Sequence, residues 1–272
     1  MKLPIYFVNA FADALGEGNP AAVVVEEGPR PALSDKDRQL IALEMNKSET
    51  AFIRADGDSR RIKWFSPKME MPLCGHATLA AAKVLHEKYP PQPRRLSFVY
   101  GSGADSIDIE KAEGGSLAMY LPLDGYEDIP LSPIYSEFFG SVKFSRALAG
   151  RRTGKVVLVA EPSADLAAIR PDFALMARSE GLFSRGIGIT QRGKDCDFVS
   201  RYFNPWAGVD EDPVTGSVHT VLASFWAKEL GKTSMRAAQK SHRPGLLELS
   251  IEDNRVRMEG RAKIVLEGTI EI

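Results

Sequence analysis

The sequence predicts an α+β protein of two pseudo-symmetric domains, each a sheet or barrel wrapped around a central helix, and three observations point there. Short β-branched or aromatic segments bounded by Gly, Pro, Asp or Ser recur along the whole chain. Two segments, Ala77–Leu85 (ATLAAAKVL) and Val218–Leu230 (VHTVLASFWAKEL), are apolar nearly all the way round, the pattern of a helix buried on most sides. The residues leading into those two helices follow one plan: a strand, a Phe-x-Pro turn, an acidic loop, then small–Gly–polar. Phe65-Ser66-Pro67 precedes Cys74-Gly75-His76-Ala77-Thr78, and Phe203-Asn204-Pro205 precedes Thr215-Gly216-Ser217. Helices do not alternate regularly with strands, which argues against βαβ repeats.

In chain order, strands are expected at Ile5–Val8, Ala22–Val25, Ala51–Arg54, Ile62–Phe65, Leu96–Val99 and Ser116–Leu121. The second half repeats the pattern at Val156–Val159, Gly186–Thr190, Phe198–Phe203, Leu247–Ile251, Val256–Glu259 and Lys263–Glu267. Asp35–Met45 follows Ser34, a good N-cap, and reads as a helix, as does Pro171–Gly181 with its terminal glycine. Weaker correspondences, Ala21–Val25 with Lys155–Val159 and the Asp35 helix with the Pro171 helix, extend the duplication upstream. The expected domains are 1–124 and 125–272, with the last strand free to return to the first half.

Composition excludes several classes. With 35 basic and 36 acidic residues the net charge is −1, so no overall charge excess draws the chain to nucleic acid or a membrane surface. No apolar run approaches the ~20 residues of a membrane span, and the N-terminus lacks the apolar core of a secretory signal. Two cysteines, Cys74 and Cys196, cannot form a disulfide framework, and no CxxC or HExxH spacing suggests zinc. A reduced cytoplasmic protein is the expectation.

Three constellations can carry chemistry. Glu49, in Asn46-Lys47-Ser48-Glu49-Thr50, sits where a helix has ended and an apolar strand begins. Half burial there raises a carboxylate toward the range of a general acid/base, although an ordinary loop glutamate fits the same position. Gly75 and His76 open a helix whose free N–H groups and dipole suit an anion, with His76 able to donate or carry a proton. Cys74 beside them reads equally as a small buried hydrophobe. Asp212, Thr215, Gly216 and Ser217 repeat the device, and the same residues also read as plain helix capping. A pseudo-twofold would turn both helix starts toward one substrate, and two converging dipoles favour a small anionic metabolite. His86, His219 and His242 read as structural, and Gly18-Asn19-Pro20 as a turn able to offer an amide.

These residues also carry a resemblance. Val8-Asn-Ala-Phe11, Gly18-Asn-Pro-Ala-Ala-Val23, Asn46-Lys-Ser-Glu-Thr50, Trp64-Phe-Ser-Pro67, Leu73-Cys-Gly-His-Ala-Thr78, Asp197-Phe-Val-Ser-Arg201 and Glu211-Asp-Pro-Val-Thr-Gly-Ser217 resemble, in order, the phenazine biosynthesis PhzF-like family. The resemblance implies a diaminopimelate epimerase-like fold and an isomerase that moves a proton on a carboxylate-bearing diene. It places the family's catalytic glutamate on Glu49, its histidine on His76, and its aspartate and serine on Asp212 and Ser217. Gly75 and Gly216 match the glycines that open anion-holding helices. No cofactor and no metal are implied, and a homodimer is.

Two departures bear on mechanism. Related racemases open each central helix with a cysteine, one thiol for each face of the stereocentre. Here Cys74 matches the first, while Thr215-Gly216-Ser217 has no counterpart and Cys196 lies upstream. The phenazine enzyme's pattern lacks the cysteine of Leu-Cys-Gly-His, so the substrate stays open. The leading expectation is a cofactor-independent isomerase with Glu49 as general acid/base. The alternatives are an epimerase or racemase using Cys74, and a non-catalytic binder of small anions.

Overall fold

The computed structural model describes residues 2–26, 32–56 and 59–272. Its elements are β1 (Lys2–Ala10), β2 (Asn19–Glu26), α1 (Asp35–Met45), β3 (Glu49–Asp56), β4 (Ser59–Phe65), β5 (Glu70–Met71), α2 (Gly75–Lys88), β6 (Arg95–Tyr100), β7 (Asp105–Lys111) and β8 (Leu117–Pro122). They continue with β9 (Tyr126–Ile129), α3 (Ile134–Phe139), β10 (Phe144–Gly150), β11 (Val156–Ala160), α4 (Phe173–Arg178), β12 (Ile187–Arg192), β13 (Phe198–Asn204) and β14 (Val209–Glu211). The last are α5 (Gly216–Leu230), β15 (Ser234–Gln239), β16 (Gly245–Glu252), β17 (Arg255–Gly260) and β18 (Ala262–Glu271). Contacts divide the chain into two compact units, Met1–Tyr120 with Glu259–Ile272, and Leu121–Met258. Strand β18 belongs to the first unit through its antiparallel pairing with β1, which runs from Lys2↔Glu271 to Ala10↔Ala262.

The two units repeat one topology. In unit 1, β1 pairs antiparallel with β2, and α1 carries the chain from β2 to the parallel strand β3. A hairpin leads to β4 and the short β5, and α2 then returns to β6, parallel to β4 and hairpinned to β7. In unit 2, β10, β11, α4, β12, β13, β14, α5, β15 and β16 make the same pairings in the same order. Strand β9 flanks β10 as β18 flanks β1.

The apolar sequence of each central helix follows from its surroundings. Helix α2 packs against β1, β2, β3, β7 and β18, and Leu79, Ala80, Ala81, Ala82 and Val84 are fully buried. Helix α5 packs against β9, β15 and β16 with Val218, Val221, Leu222, Phe225 and Trp226 buried. One indole ties each helix to its sheet. Trp64 Nε1 in β4 donates to Thr78 Oγ1 at 3.1 Å, and Trp226 Nε1 donates to Thr190 Oγ1 in β12 at 2.9 Å. On the outer side of each sheet lies a second core. Ile41 and Ala42 of α1 pack with Leu3, Ile5, Val24, Phe52 and Phe65, and Phe138, Phe139, Met176 and Phe183 pack with Leu158, Ile187 and Phe203. Strands covered on both faces carry continuous apolar runs, which is why β2 and β11 are so legible as AAVVV and VVLV.

Each expected strand coincides with an observed one, ten lying wholly inside it and two, Ser116–Leu121 and Gly186–Thr190, starting one residue before β8 and β12. Strands β5, β7, β9, β10, β14 and β15 are additional, being very short or half exposed with polar residues outward. Strand β7 (DSIDIEK) buries only Ile107 and Ile109. The helix expected over Pro171–Gly181 is trimmed to α4, because Asp172 caps Leu175 N at 2.8 Å and Ser179 turns extended at φ −90°, ψ 142°. None of the described helices is long and apolar enough to cross a membrane.

Candidate active site

In unit 1, three chain segments meet at the start of α2. Helix α1 ends on Asn46 in the left-handed conformation (φ 46°), and the reversal sets Ser48 and Glu49 at the head of β3, with Glu49 opposite Ala21 of β2. Strand β2 itself begins at the fully buried Asn19, delivered by Gly18. Gly18 has φ +69°, and a Cβ there would lie 2.2 Å from the Ala10 carbonyl oxygen, so only glycine makes this turn. The third segment is Cys74-Gly75-His76, both side chains of which are buried.

His76 is the hub. Asn19 Nδ2 lies 3.1 Å from its Nδ1, Glu49 Oε2 lies 3.2 Å from its Nε2, and Ser48 Oγ lies 3.3 Å from the same Nε2. Burial pushes the imidazole down to about 3, so the ring is neutral at physiological pH. An amide N–H donating to Nδ1 assigns the proton to Nε2, where Ser48 Oγ is the hydrogen-bond partner; Glu49 Oε2, though close, accepts no hydrogen bond there. Ser48 Oγ also reaches Asn19 Oδ1 at 3.3 Å and the Pro20 carbonyl at 3.1 Å, tying the three segments together. Cys74 Sγ lies 3.5 Å from His76 Nδ1. The His76 expectation narrows accordingly: the ring is uncharged and does not carry a positive charge.

Glu49, Cys74 and His76 offer metal-ligand atoms within 4.8 Å of one another. Both imidazole nitrogens are already engaged, Nδ1 by Asn19 and Nε2 by Ser48, so a metal on His76 would have to displace one of those hydrogen bonds. His76 therefore fits a hydrogen-bonded place better than ligation of a resident ion.

Unit 2 holds the second constellation. Asp212 follows β14, and its Oδ2 accepts from Thr215 Oγ1 at 2.5 Å. Gln239 accepts from Thr215 N at 2.9 Å and donates to the Asp212 carbonyl at 2.6 Å, which fixes the loop against β15. Gly216 and Ser217 then open α5, with Gly216 buried and Ser217 half buried. His219, expected to be structural, donates from Nδ1 to the Thr215 carbonyl at 2.7 Å and is pushed down to about 4 by burial. Thr78 makes the equivalent bond in α2, to the Cys74 carbonyl at 2.7 Å, so the duplication extends to hydrogen bonding. Lys155, which carries no sequence signal, sits over the Tyr202 ring at 4.5 Å and donates to its hydroxyl. Burial brings Lys155 down to about 8, although the charge of Asp212 opposes that shift.

These two helix starts differ from those of α1 and α4, and share with α3 the absence of a side-chain cap bond. In α1, Ser34 accepts from Asp37 N, and in α4, Asp172 accepts from Leu175 N. At α2 and α5 the N-cap residues, Cys74 and Thr215, make no side-chain cap bond. Plain capping, the competing reading of Thr215, does not occur there. First-turn amides without a side-chain acceptor are the usual seat of a carboxylate or phosphate. Gly75 brings the α2 start close to β8, where a Cβ would meet Met119 Cε at 3.0 Å.

Asn19 and Ser48 emerge as members of the Glu49 cluster. Ser48 is the neighbour of Glu49 in sequence, whereas Asn19 reaches His76 across 57 residues and nothing local marks it.

The fold is shared by known proteins. The profile of the family described as "Phenazine biosynthesis-like protein" matches residues 8–268. The chain belongs to this family, the PhzF-like proteins. An uncharacterized isomerase of Pseudomonas aeruginosa is 42% identical over 273 residues, covering 100% of both chains. A crystal structure of a phenazine biosynthesis protein of the PhzF family from Enterococcus faecalis superposes with a TM-score of 0.92 at 38% identity over 100% of both chains. A protein described as a predicted epimerase from Pseudomonas aeruginosa, at 19% identity and a TM-score of 0.68 over 98% of this chain and 99% of its own, shares the fold.

Proposed function

We propose that the chain is a cofactor-independent isomerase in which Glu49 is the general acid/base. The observation that carries this reading is the pair of Glu49 with a buried, neutral His76, Nε2 to Oε2 at 3.2 Å, at an uncapped helix start. A neutral imidazole puts no positive charge beside the carboxylate, which is the condition for Glu49 to act as a base toward carbon. The reaction breaks a C–H bond next to an activating group, leaves the electron pair delocalised into that group, and returns the proton from Glu49 to another carbon. Atoms and charge balance with no oxidant or metal.

The substrate class is a small carboxylate or comparable anion. The Gly75 amide in unit 1, and the Gly216 and Ser217 amides with the Ser217 hydroxyl in unit 2, are the proposed holders of its charge. Asp212, paired with Thr215, is proposed to orient the substrate. Relatives named as isomerases support the reaction class.

The test is proton exchange. Incubation of a panel of small unsaturated and cyclic carboxylic acids in D₂O, read by mass spectrometry, is expected to show deuterium entering one of them. Glu49→Gln is expected to slow that exchange about 10²–10⁴-fold. Exchange at the wild-type rate in Glu49→Gln ends the proposal. A second reading rests on Cys74 Sγ lying 3.5 Å from His76 Nδ1, which suits an epimerase with a thiol base. Exchange lost in Cys74→Ser but kept in Glu49→Gln selects it, and binding without exchange selects an anion-binding protein.

A further inference from the structure

Unit 2 contains a cavity of about 660 Å³ that shares no residue with the constellations described above. It lies between the turn around Asp165, the β12–β13 turn, and the edge formed by β15 and β16. Its volume is that of a small-molecule site. Arg192, Lys194, Arg236 and Lys240 line it, against Asp165 and Asp195 alone on the acidic side.

These four cations differ from the ion-paired ones of the unit. Arg146 pairs with Asp128 and Glu229, Arg201 with Glu211, and Lys232 with Asp197. Among the described residues, Arg192, Lys194, Arg236 and Lys240 form no side-chain ion pair, although Asp195 is in the same wall. Four cations to two carboxylates leave the cavity with a positive excess, and a concave surface concentrates their field on whatever enters. Asp165 is occupied as a cap, its Oδ1 accepting from Ala167 N at 3.0 Å.

The rest of the lining is apolar. Leu166 and Ala238 are buried in the wall, Val199 and Cys196 are half buried, and Leu246 is 55% exposed at the cavity. An exposed leucine beside four cations asks for a ligand with two parts. Cys196 donates to the Phe198 carbonyl at 3.1 Å, which fixes its sulfur in the wall. Gly193 makes that arrangement possible, since a Cβ there would lie 2.4 Å from the Cys196 carbonyl oxygen.

We propose that this cavity is a second ligand site, which binds a small amphipathic anion: an apolar, ring-sized body that carries one or more acidic groups. The apolar body covers Leu246, Val199 and Ala238, and the acidic groups face Arg192, Arg236 and Lys240. This site is independent of the Glu49 chemistry.

The probe is 8-anilinonaphthalene-1-sulfonate, an aromatic body with one fixed negative charge, titrated by fluorescence against the full chain. Binding is expected, weakening as salt is raised. The double variant Arg236→Glu/Lys240→Glu is expected to weaken it by about tenfold or more, because two attractive contacts become repulsive. The second readout is the thiol. Cys196 is half exposed and Cys74 buried, so a disulfide reagent modifies Cys196 first, and saturating probe is expected to slow that reaction several-fold. Glu49→Gln is expected to bind the probe as the wild type does. No saturable binding, binding unchanged in the double variant, or a Cys196 reaction indifferent to the probe overturns the proposal.

Discussion

Acidification from pH 7.5 to 4.5 strains unit 2 at one identifiable atom. His219 is fully buried, donates from Nδ1 to the Thr215 carbonyl, and has Ser200 Oγ 3.4 Å from its Nε2. Burial lowers it from 6.5 to about 4. Between those values the unfolded chain binds a proton that the folded chain excludes, so stability rises with pH through the window and falls on acidification. The full contribution, present above 6.5, is on the order of 3 kcal/mol. At pH 4.5 most of it is gone. His76, lowered to about 3, titrates with the same sign. Asp35 and Asp197 are held below their ordinary value of 3.8 and titrate beneath this window. The assay is urea unfolding of wild type and His219→Gln at both pH values. The wild type should lose roughly 2–3 kcal/mol more than the variant on acidification. Parallel losses, within about 0.5 kcal/mol, would refute the reasoning that His219 is held neutral by burial.

Two further outcomes follow from buried contacts in unit 2. Arg201→Ala leaves Glu211, paired at 2.7 Å and 11% exposed, as an uncompensated buried charge and frees the Leu166 and Ile169 carbonyls, so urea unfolding should show a loss of about 3–5 kcal/mol. Gly186→Ala places a Cβ 2.0 Å from Tyr202 Oη at φ +101°, and should cost at least about 2–3 kcal/mol while displacing Lys155, read as faster acylation of that lysine.

Legibility in the sequence tracked burial. Strands β2 and β11, covered on both faces, announce themselves as unbroken apolar runs, while β7 and β15 hide theirs behind outward polar residues. The central helices were visible for the same reason, since Leu79 and Leu222 have no solvent side to mark with charge. Helix α4 was overextended because Asp172 and Ser179, which bound it, are ordinary in composition and decisive only in conformation.

Glu49 stands apart. By itself the sequence determined the duplicated fold, the family, and a glutamate placed between a helix end and a strand start. It could not determine that Asn19, Ser48 and His76 converge there, because those contacts close loops of 57 and 28 residues and leave no local pattern. Nor could it set the charge of His76, which depends on how completely the surrounding strands exclude water. Only the tertiary structure decided that the histidine is neutral and that it lies against the Glu49 carboxylate.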